Sequence, residues 1–168
     1  MTLAEPNPPL ILASTSRYRR ELLARLRLPF DVIAPDVDET PMAGEQPRQL
    51  ACRLAMEKAR AVAVRYPQAV VIGSDQVADL NGQALGKPLV HDIALQQLQR
   101  MQGRQVVFQT AVAVVRNDRK FAQMDLAQVK VLFRSLTDAE MDAYLHAEQP
   151  YDCAGSAKSE GLGIALLE

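Results

Sequence analysis

Short apolar runs alternate with amphipathic stretches along this 168-residue chain. Residues 10–13 form an apolar run that predicts a buried strand. Residues 21–28, with leucines at 22, 23 and 26, follow helical spacing and predict a helix that Pro29 stops. Residues 30–34 predict a second strand, and the acidic, proline-bounded stretch 35–41 a loop. The longest helical pattern is 47–66, with Pro47 at a permitted first-turn position and apolar or small residues at 50, 51, 54, 55, 59 and 62. Lys58 falls inside that stripe, where a lysine must either snorkel outward or meet an anion.

The second half reads differently. Residues 69–72 predict a buried strand that ends in Gly73-Ser74-Asp75-Gln76, and Asn81-Gly82 predicts a tight hairpin pairing residues 76–80 with 83–85. Asp92 is a candidate cap for a helix carrying Ile93, Leu95, Leu98 and Met101, ended by Gly103. Residues 106–115 and 121–133 predict two long antiparallel strands joined by a polar turn, with Val129, Val131 and Phe133 on a buried face. Thr137 and Glu140 make a capping box for a helix that buries Met141, Tyr144 and Leu145, and residues 164–167 predict a last strand. Antiparallel hairpins among alternating helices exclude a purely parallel sheet. The expected fold is mixed α/β: a partly antiparallel central sheet with flanking helices, and two lobes around a cleft.

Nineteen basic against twenty acidic residues give a net charge of −1, so no broad field draws the chain onto nucleic acid and any basic site must be local. The apolar runs are too short to span a bilayer and the N-terminus carries no signal-peptide pattern, so a cytoplasmic protein is expected, without nucleic-acid or membrane partners. Cys52 and Cys153 form no paired motif, and His91 and His146 stand isolated, suggesting neither a metal cluster nor a triad.

The chemistry concentrates in a few places. At residues 12–23 an apolar strand gives way to hydroxyls and arginines where a helix begins. The free N–H groups there, with Ser14 or Ser16 as cap and Arg17, Arg19 or Arg20 as countercharge, suit an anion; a serine-capped helix with solvated arginines is the plain alternative. Asp75, at the predicted strand end, can act with Glu39 or Asp38 on Mg2+ or serve as a turn former. Lys87 lies on a tight turn between Gly86 and Pro88. Together these groups suit a nucleoside triphosphate with a divalent metal.

In order, Ala13-Ser14-Thr15-Ser16 with Arg19, Val37-Asp38-Glu39, Glu57-Lys58-Ala59, Gly73-Ser74-Asp75 and Gly86-Lys87-Pro88 resemble the successive motifs of the Maf nucleotide pyrophosphatases. Gly73-Ser74-Asp75-Gln76-Val77 and residues 153–161 look closer still to the bacterial 7-methyl-GTP pyrophosphatase subfamily; the sister subfamily acting on dTTP and UTP usually has threonine where this chain has Gln76.

The resemblance implies a Maf/ITPase-like fold and hydrolysis between the α and β phosphates of 7-methyl-GTP, yielding 7-methyl-GMP and pyrophosphate as a house-cleaning activity. It implies a divalent cation, Mg2+ foremost with Mn2+ as alternative, held by Glu39 and Asp75. Asp75 matches the proposed proton acceptor, with Lys58, Lys87 and Arg19 around it. Ser14 and Ser16 fall to the phosphates. Tyr18, Gln76 and Glu160 match positions that distinguish substrates: Glu160 suits a guanine edge and Tyr18 a cationic methylated ring. A homodimer is implied as well. Two departures stand out. Arg17 replaces a usual proline, and residues 1–168 correspond to a single Maf-like domain lacking the usual C-terminal loop and helix. Alternative readings are a nucleotide-binding regulator of septum formation and cell division with little turnover, a dTTP/UTP pyrophosphatase, or a plain interaction domain.

Overall fold

The computed structural model describes residues 7–168; the start of the chain, on which the signal-peptide reading partly rests, lies outside them. The elements run β1 (Leu10–Ala13), α1 (Arg17–Ala24), β2 (Asp31–Ile33), α2 (Pro47–Ala63), β3 (Val70–Leu80), β4 (Gln83–Leu85), α3 (His91–Met101), β5 (Gln105–Arg116), β6 (Phe121–Leu132) and α4 (Asp138–Glu148), with short 3-10 helices at Ala154–Ser156 and Leu162–Leu166. The strands form one mixed sheet in the order β2-β1-β3-β5-β6, with β4 paired to β3. β1 is parallel to both β2 and β3, whereas β3 and β4 are antiparallel. The mixed α/β expectation therefore holds.

Contacts divide the chain into two units, Met1–Met42, Ala51–Asp75 and Ala111–Leu126 in the first and Ala43–Leu50, Gln76–Thr110 and Ala127–Glu168 in the second. In the first, β1, β3 and α2 bury Ile11, Leu12, Ala13, Leu54, Val62 and Val71. In the second, Leu80, Leu98, Met101, Phe133, Met141 and Leu145 make the core. The capping box of α4 is formed as expected: the Thr137 hydroxyl accepts from Glu140 N–H and the Glu140 carboxylate from Thr137 N–H.

Several local expectations are corrected. α1 begins at Arg17 rather than residue 21, because Ser16 caps it by accepting from Arg19 N–H at 3.4 Å, and it ends at Ala24 with Leu22 and Leu26 exposed. The run 69–72 does not stop at Gly73; β3 continues unbroken to Leu80, so Asp75 stands inside a strand. Gly73 is there for packing rather than turning. A Cβ at this position would strike the Ala55 carbonyl and lie 2.6 Å from Ala59 N, so its absence lets the α2 backbone settle directly on the strand. The turn lies further on, where Asn81 (φ 53°) and Gly82 (φ 83°) take the left-handed conformations of a two-residue hairpin. α3 starts at His91 after Val90, which makes no side-chain cap bond, leaving Asp92 in the first turn rather than at the cap. Val129 is exposed because β6 lies at an edge of the sheet, while Phe133 is fully buried. Residues 164–167 form no strand: Leu162–Leu166 is a 3-10 helix, and only Leu167 bridges to Phe133.

Gly73→Ala is expected to destabilise the protein by about 1–3 kcal/mol or more, since the added methyl meets backbone that cannot step aside. Thermal unfolding checks it, at roughly 2–4 °C of Tm per kcal/mol.

Candidate active site

Three local features of the first unit converge. The parallel register that sets Ala13 opposite Gly73 brings the turn after β1 alongside Ser74 and Asp75. The missing Cβ of Gly73 holds α2 close, and Lys58, one helical turn after Leu54, is thereby carried into the same place. Glu39 arrives from the acidic loop after β2.

Lys58 is 3% exposed yet fully neutralised. Its Nζ donates to Asp75 Oδ1 at 2.7 Å and lies 2.7 Å from Glu39 Oε1. These are short, charge-assisted contacts of the strong kind. Arg19 approaches the same Asp75 oxygen at 3.9 Å, too far for a hydrogen bond but within ion-pair range. The sequence left open whether Lys58 snorkels or finds an anion; it finds two.

Asp75 is 6% exposed, and its burial pushes the carboxyl above the usual carboxylate range. Lys58 and Arg19 pull it back down, while the negative charge of Glu39 adds to the rise. Arg19 is lowered by the same loss of water, against the opposing effect of Asp75 and Glu39. Asp38 does not share this environment. It is exposed, and hydrogen bonds from the Thr40 hydroxyl and from Thr40 N–H, the latter to Oδ1 at 2.9 Å, hold its carboxyl low. Of the two acidic candidates, Glu39 is the one that meets Lys58 beside Asp75.

The remaining sequence candidates fall in two groups. In the first unit, the buried Ser14 hydroxyl oxygen accepts from Ser16 N–H at 3.1 Å, keeping its own O–H to donate. Tyr18 carries Arg17 against it: the guanidinium lies 4.8 Å from the ring centroid and donates to the Tyr18 hydroxyl at 2.8 Å. Arg17, whose role the sequence left unassigned, thus covers a face of Tyr18. In the second unit, Gln76 is exposed and donates to Thr110 Oγ1 at 2.8 Å, since alternation along β3 turns it to the opposite side from Asp75. Lys87 is exposed between β4 and α3, and Glu160 is exposed with Ser159 donating to it at 3.3 Å.

A divalent cation at this place would need hard oxygen donors. Two carboxylates already converge on a single cation, the Lys58 ammonium, and both are hard oxygen donors. Mg2+ is held in this way, by one or two carboxylates with waters and substrate phosphates completing the shell. Two carboxylates beside two cations sum to no net charge, so a triphosphate brings negative charge that these side chains do not cancel by themselves. Glu39 and Asp75 therefore fit such an ion.

A Maf-like protein family model matches residues 9–168. The chain belongs to the Maf-like family. Among relatives of this Maf-like chain, the 7-methyl-GTP pyrophosphatase of Albidiferax ferrireducens is 73% identical over 95% of the chain and 80% of that protein. Its counterpart in Polaromonas sp. is 68% identical over 99% of the chain and 76% of that protein. Solved structures share the fold: the Staphylococcus aureus Ham1 protein at a TM-score of 0.53 and 16% identity, covering 74% of this chain and 71% of that one, and a HAM1 protein from Coxiella burnetii at 0.51 and 14%, covering 95% and 91%. Among the described residues, no helix of the Maf-like chain is long and apolar enough to cross a membrane.

The sequence reading missed one constellation. His91 and His146, taken as isolated, lie together with Asp142, their ligand atoms all within 4.8 Å of one another. The i,i+4 spacing of Asp142 and His146 on α4 was the available signal.

Proposed function

We propose that this protein is a nucleoside triphosphate pyrophosphatase that hydrolyses 7-methyl-GTP to 7-methyl-GMP and pyrophosphate. The observation that carries the reading is the buried Asp75 carboxylate, raised above its usual range and set against two cations. A carboxylate with raised pKa is a better proton acceptor than an ordinary one, and Lys58 and Arg19 favour its ionised form.

In this reading Asp75 takes a proton from water as its oxygen bonds to the α phosphorus. The bond from that phosphorus to the bridging oxygen breaks, and the electron pair leaves with pyrophosphate. Arg19 and Lys58, with Lys87, oppose the charge that builds on the phosphates. A divalent cation held by Glu39 and Asp75, Mg2+ foremost, supplies Lewis-acid stabilisation of phosphate oxygens when bound. The N–H groups opening α1 and the hydroxyls of Ser14 and Ser16 suit the phosphate chain.

Base choice falls to Tyr18, Gln76 and Glu160. Glu160 accepts from the guanine edge and Tyr18 offers its ring to the cationic methylated purine, in the place where Arg17 now lies. The names of the relatives support 7-methyl-GTP over dTTP or UTP. The same reading takes residues 1–168 as one catalytic domain, working in the cytoplasm as a homodimer.

The test is pyrophosphate release from 7-methyl-GTP, GTP, dTTP and UTP with Mg2+. The expected result is a clear preference for 7-methyl-GTP. Equal rates on dTTP overturn the base assignment, and nucleotide binding without any release of pyrophosphate favours the regulatory reading.

A further inference from the structure

We propose that His91, Asp142 and His146 form a second metal site, for a transition-metal dication of the Zn2+ type. All three belong to the second unit: His91 opens α3, and Asp142 and His146 are one turn apart on α4. One carboxylate bridges the two rings. Asp142 Oδ1 lies 2.9 Å from His91 Nε2, and Oδ2 lies 3.3 Å from His146 Nδ1, with the ring centroids 4.8 Å apart.

The decisive contact is on the far side of His91. Tyr151 Oη lies 3.1 Å from His91 Nδ1 and 3.5 Å from the Leu145 carbonyl, so an oxygen holds one nitrogen of the ring while the other, Nε2, faces Asp142 Oδ1 at 2.9 Å. With a dication bound, the Tyr151 oxygen would accept from Nδ1–H and leave Nε2 to ligate. An imidazole whose Nδ1–H is fixed by an oxygen while Nε2 is turned toward a carboxylate is the arrangement that orients histidine ligands.

The ligand types decide which metal. Two imidazoles and one carboxylate suit Zn2+, Co2+, Ni2+ or Cu2+, whereas Mg2+ prefers oxygen throughout. The side chain of Asp142 is half exposed and that of His146 more so, leaving room for the His146 ring to turn either nitrogen inward and for water to complete a tetrahedral shell. His146 Nδ1 now lies 3.0 Å from the Asp142 carbonyl, so binding releases a contact that water readily replaces.

The experiment titrates Zn2+ into the full chain, stripped of metal by chelation and kept in excess Mg2+ so that the Glu39 and Asp75 carboxylates are not the sink. One Zn2+ per chain and a raised Tm are expected. His91→Gln and His146→Ala should each weaken binding at least ~10-fold, and Tyr151→Phe, which removes the orienting oxygen, by about 10-fold. His146 is a surface side chain, so its replacement leaves the fold intact. Co2+ as a second probe should give visible bands without the near-ultraviolet band of a thiolate ligand, separating this site from Cys52 and Cys153. No Zn2+ binding, a thiolate band with Co2+, or Zn2+ affinity unchanged in both histidine variants overturns the proposal.

Discussion

Asp75→Asn is expected to lower pyrophosphate release from 7-methyl-GTP by about 10²–10⁴-fold, the usual contribution of a positioned general base. The amide keeps the shape and an oxygen acceptor for Lys58, but it cannot take a proton. The fold should survive, and the sign of the pKa shift says why. Burial raises the folded-state pKa of Asp75 above its ordinary value, so the folded protein binds this proton more tightly than the unfolded chain does. Stability from this group is fully present below the unfolded pKa and is lost as pH rises through the folded pKa. A neutral isostere carries no penalty for a buried ionised carboxylate, and Glu39 still answers the Lys58 charge, so the fold is kept. A dead enzyme with a nearly unchanged Tm is the expected pair of results, measured by a pyrophosphate assay and thermal unfolding. Near-normal turnover refutes the role, and a large fall in Tm shows that Asp75 serves the fold instead.

A group retained at a cost to stability marks function better than a motif does, and this separates what was readable in the chain from what was not. Lys58 was legible because one cation interrupts an otherwise apolar helical stripe, and burial obliges such a cation to find a partner. Which carboxylates answer it was not legible, since the pairing depends on the close approach of α2 to β3 at Gly73. The dipeptide Asn81-Gly82 announced its hairpin by local conformational preference alone, and the capping box of α4 did the same. By contrast, Gly73 read as the end of a strand, because one missing methyl is the same signal for a turn and for tight packing. The start of α1 was placed late since its leucines suggested a buried face, whereas α1 has no buried residue and is fixed by the Ser16 cap instead. His91 escaped notice for a related reason: its partners are dozens of residues away and only folding brings them together.

Lys58→Met carries the second large effect, and it tests electrostatics rather than proton transfer. In the native cluster, burial raises the Asp75 pKa, while the charge and hydrogen bond of Lys58 lower it, helped by the more distant Arg19. Removing Lys58 leaves the upward effects of burial and Glu39 opposed by Arg19 alone at 3.9 Å. The pKa of Asp75 must therefore climb further, and the acid limb of the kcat/KM profile should move to higher pH. Stability should become pH-dependent for the same reason. Removing one partner of a buried ion pair typically costs about 3–5 kcal/mol, because the other charge is left uncompensated. Asp75 can escape that cost by taking up a proton, so the variant should approach wild-type Tm at low pH and fall progressively behind it as pH rises. Glu39 is half exposed and can turn to water, so it should add little to the loss. Thermal unfolding across pH, with the rate profile beside it, checks both. A constant Tm difference at every pH, or an acid limb that stays in place, means that Lys58 does not set the charge state of Asp75. If the acid limb moves up and the Tm gap widens with pH, the same ion pair that allows a carboxylate to be buried in β3 also holds it toward the ionised form that accepts a proton.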